Sequence, residues 1–463
     1  MAKEGKQSLT GFLGADMKLP QGRIYQIPTE LERMFEGIED INIGPRYMGH
    51  VRKEDVYLDM GGPKHGFISY DYTTIAEDPN EIVDGRFELI GPDVNELPEG
   101  TSIPYGLEFK IWGTEVSVDL LEYIERMIGM SIDNQEGIMG LNGRDAMWMR
   151  ISKQVAPKYT FANLFQAVRA LTISNVPVVE AMEGRMIIAT PEMGGAELIR
   201  PLREEAQMRW KVIDAMYAEL DDEDVDVFYG CTTCQSFAPN HVCVVMPSMI
   251  PYCGILGYAS AKAAYQIDHQ GNFFEIPKGE LIDPLGGEYQ GVNEAIWERS
   301  HHTIKRELLN SAIKYPGTNC GCFEAAAFYL PDVDGIGVVN RRYSGMTPLG
   351  INFGKLAGMI SGGTQNHGFK GLSIRGMAKP KFLLGDGGWN RVVWMPKDLK
   401  LELADAIPEE VYDKIITEED TVEVGEIKEI LQQKKHPIID KFWKNGEPQP
   451  IELPGLGEPW PGD

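Results

Sequence analysis

All six cysteines of this 463-residue chain lie between Cys231 and Cys322, and that confinement limits what the chain can build more than any other feature. Four are spaced as Cys231-Thr-Thr-Cys234, Cys243 and Cys253, with eight and nine residues between the later members. The other two stand together as Cys320-Gly321-Cys322. Four thiolates able to converge point to a four-cysteine metal centre, either iron–sulfur or zinc. The triplet offers two thiolates and, once deprotonated, the amide nitrogens of Gly321 and Cys322. Those four donors follow one another along the backbone and lie naturally in one plane, which suits nickel(II) or copper(II) and not tetrahedral zinc. Glycine between them avoids a Cβ clash in the tight bend. Taken singly, either group also reads as small apolar packing residues. Nothing marks the chain as secreted, so disulfides are disfavoured.

The spacing Cys-x2-Cys-x8-Cys-x9-Cys followed by a distant Cys-Gly-Cys resembles the CO-methylating acetyl-CoA synthase family of the carbon monoxide dehydrogenase/acetyl-CoA synthase complex. The surrounding sequence agrees: Phe-Tyr-Gly-Cys-Thr-Thr-Cys-Gln-Ser-Phe-Ala-Pro from Phe228, Cys-Gly-Cys-Phe-Glu-Ala from Cys320, Leu-Pro-Asp-Val-Asp-Gly-Ile-Gly from Leu330, and Gly-Asp-Gly-Gly-Trp-Asn-Arg-Val-Val-Trp from Gly385. The likeness is strongest from about residue 200 to 400. It implies an acyltransferase that joins CO, a methyl group from a methylated corrinoid iron–sulfur protein and coenzyme A. By that resemblance Cys231, Cys234, Cys243 and Cys253 hold a [4Fe–4S] cluster, and Cys234 bridges it to a proximal nickel. Cys320 and Cys322 bridge that nickel to a distal one, which also takes the backbone nitrogens of Gly321 and Cys322. Copper and zinc compete for the proximal position. Phe237 matches a phenylalanine beside the open nickel position. Bacterial members carry an additional N-terminal domain that docks on carbon monoxide dehydrogenase; this chain resembles the shorter, archaeal-type layout or a truncated piece. Two other classes remain on the residues alone, an iron–sulfur electron carrier and a structural zinc protein.

The rest of the chain frames that centre. A net charge of −25 argues against nucleic acid or an anionic membrane as the main partner. The most apolar stretch, Val242 to Tyr265, is interrupted by Pro247 and Pro251, so no membrane-spanning helix is expected. A cytoplasmic, reducing compartment is expected, keeping the thiols available for metals. Short alternating runs such as Val56-Tyr-Leu-Asp-Met and Tyr105 to Trp112 read as strands. Between them fall amphipathic helices, one capped at Ser117 with Val118, Leu121, Ile124 and Ile128 on a face. The expected fold is a mixed α/β (α+β) protein of two main domains. Residues 1–37 read as a lead-in, 38–203 as a middle domain and 204–463 as the metal domain.

Within the middle domain, Arg144, Arg150 and Arg169 flank Trp148. Arginine grips phosphate in a bidentate manner and tryptophan stacks a purine, so these four are the candidate coenzyme A residues. Gly61 to Gly66 reads as a turn. A helix from about Leu202 to Leu220, a solvated acidic run Asp221–Asp224, and a helix from Val292 to about Tyr315 complete the expectations. His301 and His302 are assigned to surface or packing and not to metal.

Overall fold

The computed structural model describes residues 11–43, 51–141, 147–215, 220–254 and 256–461. The chain divides into two compact units, Met1–Glu219 and Leu220–Asp463. Residues 203 and 204 fall inside the helix Ala196–Ala215, so the units part some fifteen residues later than the sequence pattern suggests.

The first unit is built on a mixed five-stranded sheet. In spatial order its strands are Arg23–Gln26, Arg86–Ile90, Ala181–Ile188, Tyr105–Trp112 and Tyr70–Ile75. The helix Phe161–Asn175 lies on one face, where Phe165 stacks on Phe87 at 5.1 Å and Phe109 at 6.3 Å between ring centroids. Gly184 leaves the room for it, since a Cβ there would lie 2.4 Å from the Phe165 ring. The other face buries Tyr70, Tyr72, Ile90 and Ile187 against Ile199, Leu202, Ala206 and Trp210 of Ala196–Ala215. A helix does run Val118–Asp133 from Ser117, with Leu121, Ile124 and Ile128 buried, although the Ser117 side chain makes no capping hydrogen bond. A smaller sheet orders Thr101–Ile103, Val56–Gly61, Trp148–Ser152 and Ile138–Leu141.

The segment before residue 38 is more than a lead-in. Arg23–Gln26 pairs antiparallel with Arg86–Ile90, and Leu13 is fully buried. The Leu13 amide donates to the buried Glu108 carboxylate at 3.0 Å, and its carbonyl accepts from Arg185 at 2.5 Å. Anchoring of this kind runs through single residues to partners far along the chain, so it leaves no apolar period for a sequence reading to detect.

The second unit holds two larger sheets and a two-stranded one, Leu281–Asp283 with Glu288–Tyr289. Cys243–Val245, Val227–Cys231 and Phe273–Pro277 form an antiparallel trio. Phe369–Leu372, Ala325–Leu330, Gly335–Asn340 and Val392–Trp394 form the other, the last pair parallel. The expected helix from Val292 to Tyr315 is shorter. It spans Gln290–Arg299 and stops because His301 and His302 take left-handed backbone angles, φ 57° and 59°. Both histidines are exposed. The acidic run is not wholly solvated either. Asp222 is fully buried, accepting from the Ser248 amide at 2.8 Å and from Lys381 at 2.6 Å, so it anchors a loop. Among the described residues no helix is long and apolar enough to cross a membrane.

Candidate metal centre

The strand Val227–Cys231 ends on the first cysteine, and antiparallel pairing sets Cys243 directly opposite it. A 3-10 turn, Thr233–Ser236, then carries Cys234. Phe237 closes that turn, its amide donating to the Cys234 carbonyl at 3.2 Å, and it is half-buried. Cys253 sits between Tyr252 and Gly254, and the Tyr252 carbonyl accepts from the Glu324 amide at 3.1 Å. Glu324 lies two residues beyond Cys322, so the Cys253 turn is tied to the triplet.

The triplet occupies the loop before Ala325–Leu330. Gly321 has φ 111°, a conformation that side chains rarely adopt, and a Cβ there would lie 3.1 Å from Ser361. The sulfur atoms of Cys234, Cys320 and Cys322 all lie within 4.8 Å of one another, with Cys320 buried and the other two half-buried. The Cys322 amide points at the Cys320 sulfur, 3.3 Å away. Gly363 approaches from behind: its amide donates to the Asn319 carbonyl at 2.9 Å, and a Cβ would meet the His241 amide at 3.1 Å.

The thiols crowd one another electrostatically. Burial pushes the Cys243 thiol well above its ordinary range, and the charges of Cys231, Cys234 and Cys253 push the same way. Hydrogen bonding with Cys234 and Cys322, then burial, does the same to Cys320. Such a cluster resists ionisation unless cations balance it, so the donor set fits soft, thiolate-bound metals. The charges of Cys231, Cys234 and Cys253 all bear on Cys243, and Cys234 belongs as well to the three-thiol group with Cys320 and Cys322.

Two neighbours escaped the sequence reading. His241 is buried, with Nε2 3.0 Å from the Cys243 sulfur and Nδ1 3.0 Å from the Thr318 hydroxyl. The Thr318 oxygen also accepts from the Val242 amide at 3.3 Å, so the imidazole is held between that hydroxyl and the sulfur. Its signal was its place two residues before a cysteine on an extended segment, where alternate side chains share a face. Arg341 donates from Nη2 to the carbonyls of Gly321, at 2.9 Å, and Phe323, at 3.0 Å. No local pattern marks an arginine twenty residues downstream.

Residues 210–441 match the family described as the C-terminal part of the ACS/CODH beta subunit, and residues 39–193 match the CO dehydrogenase/acetyl-CoA synthase complex beta subunit. The acetyl-CoA decarbonylase/synthase complex subunit beta of Methanopyrus kandleri is 43% identical over 410 residues, covering 88% of this chain and 86% of that one. Subunit beta 2 of the same complex from Methanocaldococcus jannaschii is also 43% identical, over 90% of this chain and 87% of its own. The chain belongs to this beta-subunit family. That agrees with the resemblance carried by the cysteine spacing, and the C-terminal family segment contains all six cysteines.

The candidate coenzyme A residues of the family's other segment fare unequally. Arg144 lies outside the described residues. Trp148 is half-buried with the Arg150 guanidinium 5.0 Å over its ring, and Arg150 also meets Asp59 at 3.1 Å. Lys64, in the Gly61 to Gly66 turn, pairs with the same Asp59. Arg169 is buried and grips Asp84 through Nε at 2.9 Å and Nη2 at 2.6 Å, which takes it out of reach of a phosphate.

Proposed function

We propose that this chain condenses CO, a methyl group from a methylated corrinoid iron–sulfur protein and coenzyme A into acetyl-CoA at a [4Fe–4S]–nickel–nickel centre. The observation that carries the reading is the convergence of Cys234 with Cys320 and Cys322 within 4.8 Å. A plain iron–sulfur carrier has no use for the last two, and a structural zinc site would be complete without them.

Cys231, Cys234, Cys243 and Cys253 would hold the iron–sulfur cluster, and Cys234, Cys320 and Cys322 would offer their thiolates to nickel, with the peptide nitrogens of Gly321 and Cys322 as further donors. Nickel, when bound, supplies the carbon–carbon and carbon–sulfur bond making; the protein contributes binding, orientation and exclusion of water. Phe237, on the Cys234 turn, limits the open side to small ligands. Trp148 and Arg150 take the adenine and phosphate end of coenzyme A, by stacking and by charge. The corrinoid protein and carbon monoxide dehydrogenase are the macromolecular partners in this reading, and the setting is a reducing, cytoplasmic one.

The test is metal analysis for nickel, iron, copper and zinc on anaerobically purified protein, beside Cys320→Ala and Cys322→Ala, with an acetyl-CoA synthesis assay. About four iron and up to two nickel per chain, with nickel lost and iron kept in both variants, supports the proposal. Zinc alone at the four-cysteine site, or iron with no nickel uptake on reconstitution, refutes it.

A further inference from the structure

The Cys-Gly-Cys triplet can donate two nitrogens to a metal only if two peptide N–H groups lose their protons. In each case the N–H bond breaks, the proton passes to solvent, and a nitrogen–metal bond forms; no electrons are exchanged. The charge left behind does not stay on nitrogen. Peptide resonance shares it with the carbonyl oxygen of the same unit. For the Cys322 nitrogen that oxygen belongs to Gly321, and it is the atom on which Arg341 places Nη2, at 2.9 Å.

We infer that Arg341 is the positioning residue and counter-charge that makes the Cys322 peptide nitrogen a metal donor. The inference rests on the planar nitrogen–sulfur reading of the triplet given above. Three features of the surroundings support it. First, Arg341 is fixed: its own amide donates to the Glu324 carbonyl at 2.8 Å, just past the strand Gly335–Asn340, and its guanidinium lies 5.1 Å over the Phe353 ring. A guanidinium so held reaches Gly321 without first ordering itself. Second, the same Nη2 holds the Phe323 carbonyl at 3.0 Å, one peptide beyond the unit that follows Cys322, so the guanidinium is anchored to the chain both before and after that cysteine. Third, the Cys322 N–H already points inward to the Cys320 sulfur, so its nitrogen lies among the thiolates that would share the metal. A half-buried negative peptide without a counter-charge is costly to maintain, and a charge-assisted hydrogen bond to its oxygen offsets that cost.

A residue that only braced the bend at Gly321 would be replaceable by any donor of similar length. A counter-charge would not. The experiment therefore compares Arg341→Lys, which keeps charge, with Arg341→Gln, which keeps a donor without charge, and with Arg341→Met, which keeps neither. Each chain, with its iron assembled, is titrated with NiCl2 at pH 7.5 against a chelator of known affinity. Nickel K-edge absorption counts nitrogen and sulfur donors, and iron content with thermal melting controls for folding. Arg341→Met and Arg341→Gln are expected to weaken the nickel site that depends on Cys320 and Cys322 by roughly ten- to a hundredfold and to lose nitrogen donors. Arg341→Lys is expected to recover part of both. Lys no better than Gln, or Met with wild-type affinity and nitrogen donors, overturns the inference while leaving the nickel centre in place. A wild-type chain whose nickel is indifferent to Cys320→Ala and Cys322→Ala overturns the centre itself.

Discussion

Arg169 in the first unit and Cys243 in the second are both buried, and chemistry nominates both as ligand groups, yet the fold treats them in opposite ways. Arg169 spends its guanidinium on Asp84, and Arg185 nearby does the same with Glu108. Cys243 faces the buried imidazole of His241 and the thiols of Cys231, Cys234 and Cys253, and those three thiols oppose its ionisation. A chain with 69 acidic residues can satisfy a buried arginine from its own stock. Beside the clustered thiols, Arg341 gives its Nη2 to the carbonyls of Gly321 and Phe323. A sequence reading of ligands is therefore safest where the protein cannot supply the partner itself.

Removing one of the thiols breaks that comparison hardest. Cys320→Ala is expected to abolish tight nickel binding and cut acetyl-CoA formation by at least about a thousandfold, while iron content holds. Nickel retained in this variant would place the triplet with the satisfied arginines. The converse substitution, Arg169→Met, takes the guanidinium from a half-buried carboxylate, Asp84. It should cost about 1–3 kcal/mol in urea unfolding, with coenzyme A KM unchanged for the folded protein. A raised KM without loss of stability would restore Arg169 to the ligand set.

His436 sharpens the contrast from within the second unit, because it is a buried group fully served by backbone. Its Nδ1 accepts from the Ile438 amide at 3.2 Å and its Nε2 lies 3.1 Å from the Val392 carbonyl. Burial holds its pKa down to about 4, against an ordinary 6.5. The unfolded chain thus takes the proton first as pH falls. The stability is intact above pH 6.5 and is lost on descending toward 4. Between pH 7 and 5 its share of the loss should be about 2 kcal/mol, and His436→Gln should remove that share from the wild-type slope. A His436→Gln profile parallel to the wild type would mean the imidazole is not held neutral. The smallest effect belongs to Arg150→Ala. Its Asp59 contact is partly exposed, so stability should change by less than about 1 kcal/mol while coenzyme A KM rises roughly fivefold. An unchanged KM would leave Trp148 without its phosphate partner.

What the sequence made legible follows the same division. The strand Tyr105–Trp112 was readable from its alternation of residue types, although both of its faces are buried, and the helix Val118–Asp133 because its buried residues keep a helical period. The helix expected through Tyr315 failed because apolar spacing continued past the left-handed turn at His301 and His302, where no glycine or proline announces a stop. Asp222 was misjudged because its company, Asp221 and Glu223, is charged; a run hides the one member that turns inward. In the site, every thiol was visible from spacing. Arg341 and His241 were not, since each serves the centre through contacts that are not written as a motif.

The short loop Ser361–Gly363 has a mechanical consequence. It lies against Gly321, hydrogen-bonds the carbonyl of Asn319, and on its other side abuts the backbone of Ala238 and His241. It therefore wedges between the two cysteine groups like a keystone. A force applied to either group is passed to the other, and the metal-holding parts travel as one block. Lengthening this loop by a residue would test the wedge, because it would let the cubane and triplet halves drift apart while leaving every ligand in the sequence.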